Sequence, residues 1–131
     1  MADSEWGTSL DILSLREYGR IMSEIREPTF WILTALAGGR HHGYALIAET
    51  ARLSESSVSL KVPTLYAALD RLGEEGLVAI DGEEVVDGRK RRYYRLTDKG
   101  AKALENHASR LESSARQARV RLGMRVGEAR A

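Results

Sequence analysis

Residues 62–100 read VPTLYAALDRLGEEGLVAIDGEEVVDGRKRRYYRLTDKG, and the order of patterns in this stretch decides the fold. Pro63 opens a helix whose apolar stripe is Leu65, Ala68, Leu69 and Leu72, and Gly76 stops it as a C′ glycine. By 100° steps, Pro63, Ala67, Asp70 and Glu74 point away from that stripe, while Thr64, Tyr66 and Arg71 lie on its flanks. Residues 77–80 and 91–96 are short strand candidates, and Gly82 and Gly88 punctuate the acidic-then-basic connection between them. Helix, strand, charged hairpin and strand in this order is the layout of a winged helix-turn-helix. In that layout a helix can enter a groove of a duplex while a cationic loop reaches the phosphate backbone.

Working outward toward the N-terminus, the Ser54–Ser59 stretch is a polar connector, and Tyr44, Ile47, Ala48 and Ala51 space out a short second helix with Leu53 near its end. Before it, Pro28 starts a helix over Phe30-Trp-Ile-Leu-Thr-Ala-Leu-Ala that is apolar on nearly every side and stops at Gly38-Gly39, so it should form the buried centre. Leu10, Leu13, Tyr18, Ile21, Met22 and Ile25 recur near helical spacing behind a capping-box-like Thr8 and Asp11, which predicts an amphipathic extension helix with a possible break at Gly19. Toward the C-terminus, Thr97 caps a last helix whose Ala101, Leu104, Ala108, Leu111, Ala115, Ala118 and Leu122 alternate by threes and fours, a coiled-coil seam. Gly123 and Gly127 are expected to end its regularity. The fold class is therefore mainly α (α+β). The expected segments are an extension helix over 1–26, the winged helix-turn-helix over 27–97, a dimerisation helix over 98–123 and a flexible tail over 124–131.

Composition narrows the function classes. The 131 residues suit one domain, and 43% hydrophobic with 30% charged residues is ordinary for a globular protein. With no cysteine, disulfides and thiolate metal sites are excluded. No apolar run approaches the roughly 20 residues that span a bilayer, and the first residues lack a signal peptide's basic and apolar regions, so a cytoplasmic protein without membrane contact is expected. A net charge of +1 does not by itself announce a nucleic-acid binder. The case rests on where the charges sit.

Thr64 and Tyr66, near the positive end of the third helix, are placed to approach phosphates or base edges. Asp70 and Glu74 repel phosphate, so only the first turn is expected to insert. The run Arg89-Lys90-Arg91-Arg92 is either a solvated face or a phosphate-reaching wing, and its place beside the helix favours the wing. Alternation divides it, with Arg91, Tyr93 and Arg95 on one side and Arg92, Tyr94 and Leu96 on the other, the last two facing the core. Trp31 has two readings, core filling or the wall of an aromatic ligand pocket where two subunits meet. His41-His42 lacks a second ligand pair at useful spacing, so neither a metal nor another cofactor is expected. No nucleophile elbow, phosphate loop or zincin motif organises the serines, His107 and carboxylates into a catalytic site, so the chain does not read as an enzyme.

With these residues in view, the chain resembles the PadR family of transcriptional regulators. The resemblance rests on His42-Gly-Tyr-Ala-Leu, Pro63-Thr-Leu-Tyr-Ala-Ala-Leu-Asp-Arg-Leu, Glu75-Gly-Leu-Val and Gly88-Arg-Lys-Arg-Arg-Tyr-Tyr-Arg-Leu-Thr-Asp-Lys-Gly, and it covers about residues 28–122. It implies a homodimeric repressor of double-stranded operator DNA, paired through its C-terminal helices and often relieved by a small aromatic effector. A single C-terminal helix looks like the family's short subfamily. By family position, Lys61, Thr64 and Tyr66 correspond to the DNA-approaching end of the recognition helix, and Arg89, Lys90 and Arg91 to the wing tip. The seam residues Leu104, Ala108, Leu111, Ala115, Ala118 and Leu122 correspond to the dimer contact. Two departures stand out: Pro63 replaces a glycine common before Thr-Leu-Tyr, and the C-terminal helix lacks the tryptophan of multidrug-binding members. The competing reading is a winged-helix protein-interaction module that does not bind specific DNA.

Overall fold

The structure is a computed structural model that describes residues 25–130; the expectations for Leu10, Leu13, Tyr18, Ile21 and Met22 lie outside it. Four helices and a small sheet follow in order: α1 (Glu27–Ala37), β1 (His41–His42), α2 (Gly43–Leu53), α3 (Val62–Glu74), β2 (Val78–Val86), β3 (Arg89–Leu96) and α4 (Asp98–Arg130). This is the winged helix-turn-helix predicted from the sequence.

α1 starts where Pro28 presets the helical φ and needs no amide partner, and it is covered on most of its circumference, with Ile32 and Leu33 fully buried. Leu46 from α2 and Leu65, Leu69 and Leu72 from α3 close on it, and Leu77, Val78 and Tyr94 bring the sheet in. Each such side chain contributes roughly 1.5–3 kcal/mol on leaving water. The 54–61 connector is less polar than its serines imply. Val58 and Leu60 are buried, and the Ser54 hydroxyl accepts from the Val58 amide at 3.1 Å across a turn in which Glu55 and Ser56 take positive φ.

α3 ends as expected. Gly76 has φ +77°, the Leu77 amide donates to the Leu72 carbonyl at 2.9 Å and the Gly76 amide to Gly73 at 3.0 Å, the two bonds of a Schellman motif. The next joint is equally well satisfied. The Thr97 hydroxyl accepts from the Gly100 amide at 3.0 Å, capping α4, and donates to the Gly76 carbonyl at 2.6 Å, while Lys99 donates to the Glu75 carbonyl at 2.8 Å. A side chain at Gly100 would strike the Leu77 carbonyl, so glycine there lets the first turn of α4 lie against the end of α3.

Three expectations change. The sheet has three strands in the order β1-β3-β2, because His41 and His42 pair with Tyr94 and Tyr93. The wing is strand almost to its tip: the long loop expected between residues 80 and 91 reduces to the two-residue turn Asp87-Gly88, whose φ values of 51° and 75° suit a type I′ turn and match the twist of the hairpin. A bulge between Ile80 and Glu83, centred on Gly82 at φ +98°, accounts for the glycine read as loop punctuation. Finally, α4 runs through Gly123 and Gly127 to Arg130 instead of stopping. A glycine lowers helix propensity by about 1 kcal/mol, and with no proline or capping motif beside it the helix continues.

Candidate nucleic-acid interface

The first turn of α3 is the part of the helix most open to solvent. Lys61 stands at its N-cap, and Lys61, Val62, Pro63 and Thr64 are all exposed. Tyr66, 39% exposed, turns its hydroxyl toward Gly43, the first residue of α2, where any side chain would collide with the phenol ring. The glycine of His-Gly-Tyr thus makes room for the tyrosine of the next helix. Farther along, Asp70 and Glu74 are exposed as read, whereas Arg71 turns inward and its Nη2 donates to Thr29 Oγ1 at 3.0 Å. That bond ties α3 to α1, so Arg71 is a positioning residue the flank assignment did not reveal.

The wing stands beside this turn because the β2–β3 hairpin is anchored at its base. Arg40 donates to the Asp81 carbonyl at 2.9 Å and its guanidinium stacks 4.3 Å from the Tyr93 ring. The Tyr93 hydroxyl donates to Glu84, and that bond raises the phenol's pKa above its ordinary value. Antiparallel register sets Arg91 opposite Glu84 and Arg92 opposite Glu83. Burial divides β3 as its alternation requires: Tyr94 is buried and Leu96 packs against the core, while residues 89–92 are exposed.

Between the wing tip and the helix ends runs an open cleft lined by His42, Tyr44, Tyr66, Arg89, Lys90 and Arg91, among others. It brings together four of the six residues expected to meet a duplex; Lys61 and Thr64 lie on the exposed turn outside its lining. His42 caps α2 by accepting from the Ala45 amide at 3.4 Å and meets the Tyr93 ring edge-on at 5.4 Å. Burial first, and then the charge of Arg91, lower its pKa below the usual value, so the ring is neutral at neutral pH. Tyr44, read as part of an apolar helix face, is instead 67% exposed on the cleft rim. Its neighbours were the available signal, since an aromatic two residues after the His42 cap lies in the first helical turn.

Trp31 is elsewhere. It packs partly buried against the core, edge-on to Phe30 at 5.0 Å, and Phe30 in turn meets His107 of α4 at 5.6 Å. Trp31 Nε1 and His107 Nδ1 are buried and make no hydrogen bond. On α4, Leu104 packs against the core, but Leu111 is 47% and Leu122 58% exposed, and Leu111, Ala115 and Val120 are among the residues that line an open groove. Among the described residues no group of His, Asp or Glu could hold a metal, and no helix is long and apolar enough to cross a membrane.

The family model described as transcriptional regulator PadR-like matches residues 32–106. The Mycobacterium tuberculosis transcriptional regulator Rv3488 is 40% identical over 86 residues, which are 66% of this chain and 77% of that protein. Among solved structures, a PadR family transcription regulator from Clostridium difficile is 27% identical with a TM-score of 0.59, over 71% of this chain and 95% of that one. Bacillus subtilis PadR, solved in complex with operator DNA, shares the fold with a TM-score of 0.54 and 24% identity, over 60% of this chain and 45% of that one.

Proposed function

The chain belongs to the PadR-like family of transcriptional regulators, and from that premise we propose that it is a homodimeric repressor of a specific operator, released by a small aromatic effector. The observation that carries this reading is the cleft itself. It sets Tyr66 on an exposed helix start beside Arg89 and Arg91, which form no ion pair with any described residue. The first turn of α3, through Lys61, Thr64 and Tyr66, approaches the groove and fixes register. Arg89, Lys90 and Arg91 approach the flanking phosphates, where each neutralised phosphate releases a counterion. The fold shared with Bacillus subtilis PadR, a protein solved in complex with operator DNA, supports DNA as the ligand.

Dimerisation through α4 is supported by its exposed Leu111, Val120, Leu122 and Met124, which no helix among the described residues covers. The buried, unbonded indole N–H of Trp31 supports an effector that offers a ring and a hydrogen-bond acceptor near α1 and α4. The protein-interaction alternative draws on Asp70 and Glu74, which keep the outer face of α3 acidic.

Selection of genomic fragments by the purified protein, followed by affinity measurements at several salt concentrations, tests the proposal. Arg89→Ala with Arg91→Ala should weaken operator and random duplex alike and make the salt dependence shallower by up to about 2 in slope. Thr64→Ala or Tyr66→Phe should narrow the gap between operator and random DNA instead. Absence of duplex binding above background at low salt would hand the fold to the protein-interaction reading.

A further inference from the structure

The four cations of the wing are not equivalent. Lys90 Nζ lies 3.0 Å from Glu83 Oε2 and Arg92 Nε lies 3.7 Å from Glu83 Oε1, so one carboxylate bridges two cations two residues apart on the same face of β3. All four line the cleft with His42 and Tyr66, but by alternation Arg89 and Arg91 project from the other face of β3, away from Glu83. The cross-strand pairing of Glu83 with Arg92 keeps the carboxylate in register with its partners. The hydrogen bond from Lys90 lowers the carboxyl pKa, so the charge persists throughout the neutral range.

Two oxygens held between two cations is also how a phosphodiester offers its two non-bridging oxygens to a pair of basic side chains. We propose that Glu83 is an internal stand-in for a backbone phosphate, which sets how much of the wing's charge a duplex meets. Arg89 and Arg91 are available at first encounter, whereas Lys90 and Arg92 become available only when a phosphate displaces Glu83. This rests on the DNA-binding reading and adds a discrimination device to it. Random DNA meets a wing at half charge, and a site that holds the protein in register long enough to exchange the pair recovers the rest. Because all three side chains are solvated at the surface, with Glu83 36% and Lys90 68% exposed, the pair is exchangeable and its loss leaves the fold intact.

The test is fluorescence anisotropy of the full chain on a random-sequence duplex across a salt series. It compares the parent, Glu83→Gln, the double variant Lys90→Ala with Arg92→Ala, and the triple variant. Removing a unit charge at contact distance should tighten binding by roughly fivefold at low salt. It should also steepen the slope of log affinity against log salt by about 1 to 2, as Lys90 and Arg92 each gain a phosphate. In the Lys90→Ala, Arg92→Ala background the same substitution should change affinity by less than about twofold. Two results overturn the proposal: unchanged affinity and slope in Glu83→Gln, or equal tightening in both backgrounds, which would mean simple long-range repulsion. If neither parent nor variant binds any duplex, it is the DNA-binding reading itself that fails.

Discussion

α3 and α4 carry nearly the same sequence signal and meet opposite fates. Each has an apolar stripe at helical spacing, but Leu65, Leu69 and Leu72 on α3 are at most 1% exposed, whereas Leu111 and Leu122 on α4 are about half exposed. The difference lies in what surrounds them. α3 is flanked by α2, α1 and the sheet, so every turn finds a neighbour, while α4 leaves the domain after its first turns against α1. Periodicity states that a face must be covered, and the fold states whether one chain can cover it.

The contrast can be broken at its strongest point by shortening one leucine on each helix. Leu69→Ala opens a cavity in a filled core and should cost about 2–5 kcal/mol in denaturant unfolding, whereas Leu111→Ala should leave the unfolding of dilute monomer within about 0.5 kcal/mol. Similar losses at both sites would mean that α4 is covered within a single chain. A sharper probe places charge on the open seam. Leu111→Lys together with Leu122→Lys should raise the dimer dissociation constant by about a hundredfold or more in analytical ultracentrifugation. Far-UV circular dichroism should be preserved, and an undisturbed dimer would move the interface elsewhere. The smallest effect concerns the end of α4. A methyl group at Gly123 meets open space, so Gly123→Ala should stabilise the helix by about 0.5–1 kcal/mol. A neutral result would place the end of the stable helix before residue 123.

Much of this fold was legible because its punctuation is unambiguous. Pro28 and Pro63 open helices, Gly76 closes one in a Schellman motif, and Thr97 caps the last. Features that depend on long-range pairing were not legible. Two residues are too few to show alternation, so β1 at His41-His42 emerges only when β3 lies beside it. Val58 and Leu60 sit in a stretch dominated by serines, and their burial follows from the turn at Glu55 and Ser56 rather than from any periodicity. Arg71 looks like any flanking cation until α1 brings Thr29 within reach. The wing was partly readable. Asp87-Gly88 is the dipeptide favoured in two-residue hairpins and predicts the pairing of Glu84 with Arg91, but the bulge at Gly82 shifts everything beyond it. Of the six residues expected at the interface, Tyr66, Arg89, Lys90 and Arg91 share the cleft, and the pairing of Lys90's charge with Glu83 is a cross-strand property that no single segment displays.

The joint at Thr97 has a mechanical meaning. One hydroxyl spans the Gly76 carbonyl and the Gly100 amide, Lys99 grips Glu75, and Gly100 leaves no gap above Leu77, so the root of α4 is clamped to the end of α3. A helix of 33 residues is an arm about 50 Å long, and a pivot of about 5° at its base sweeps the far end by about 4 Å. The arm works in both directions: a push at its far end would swing α3 about its own end and shift the exposed helix start at Lys61.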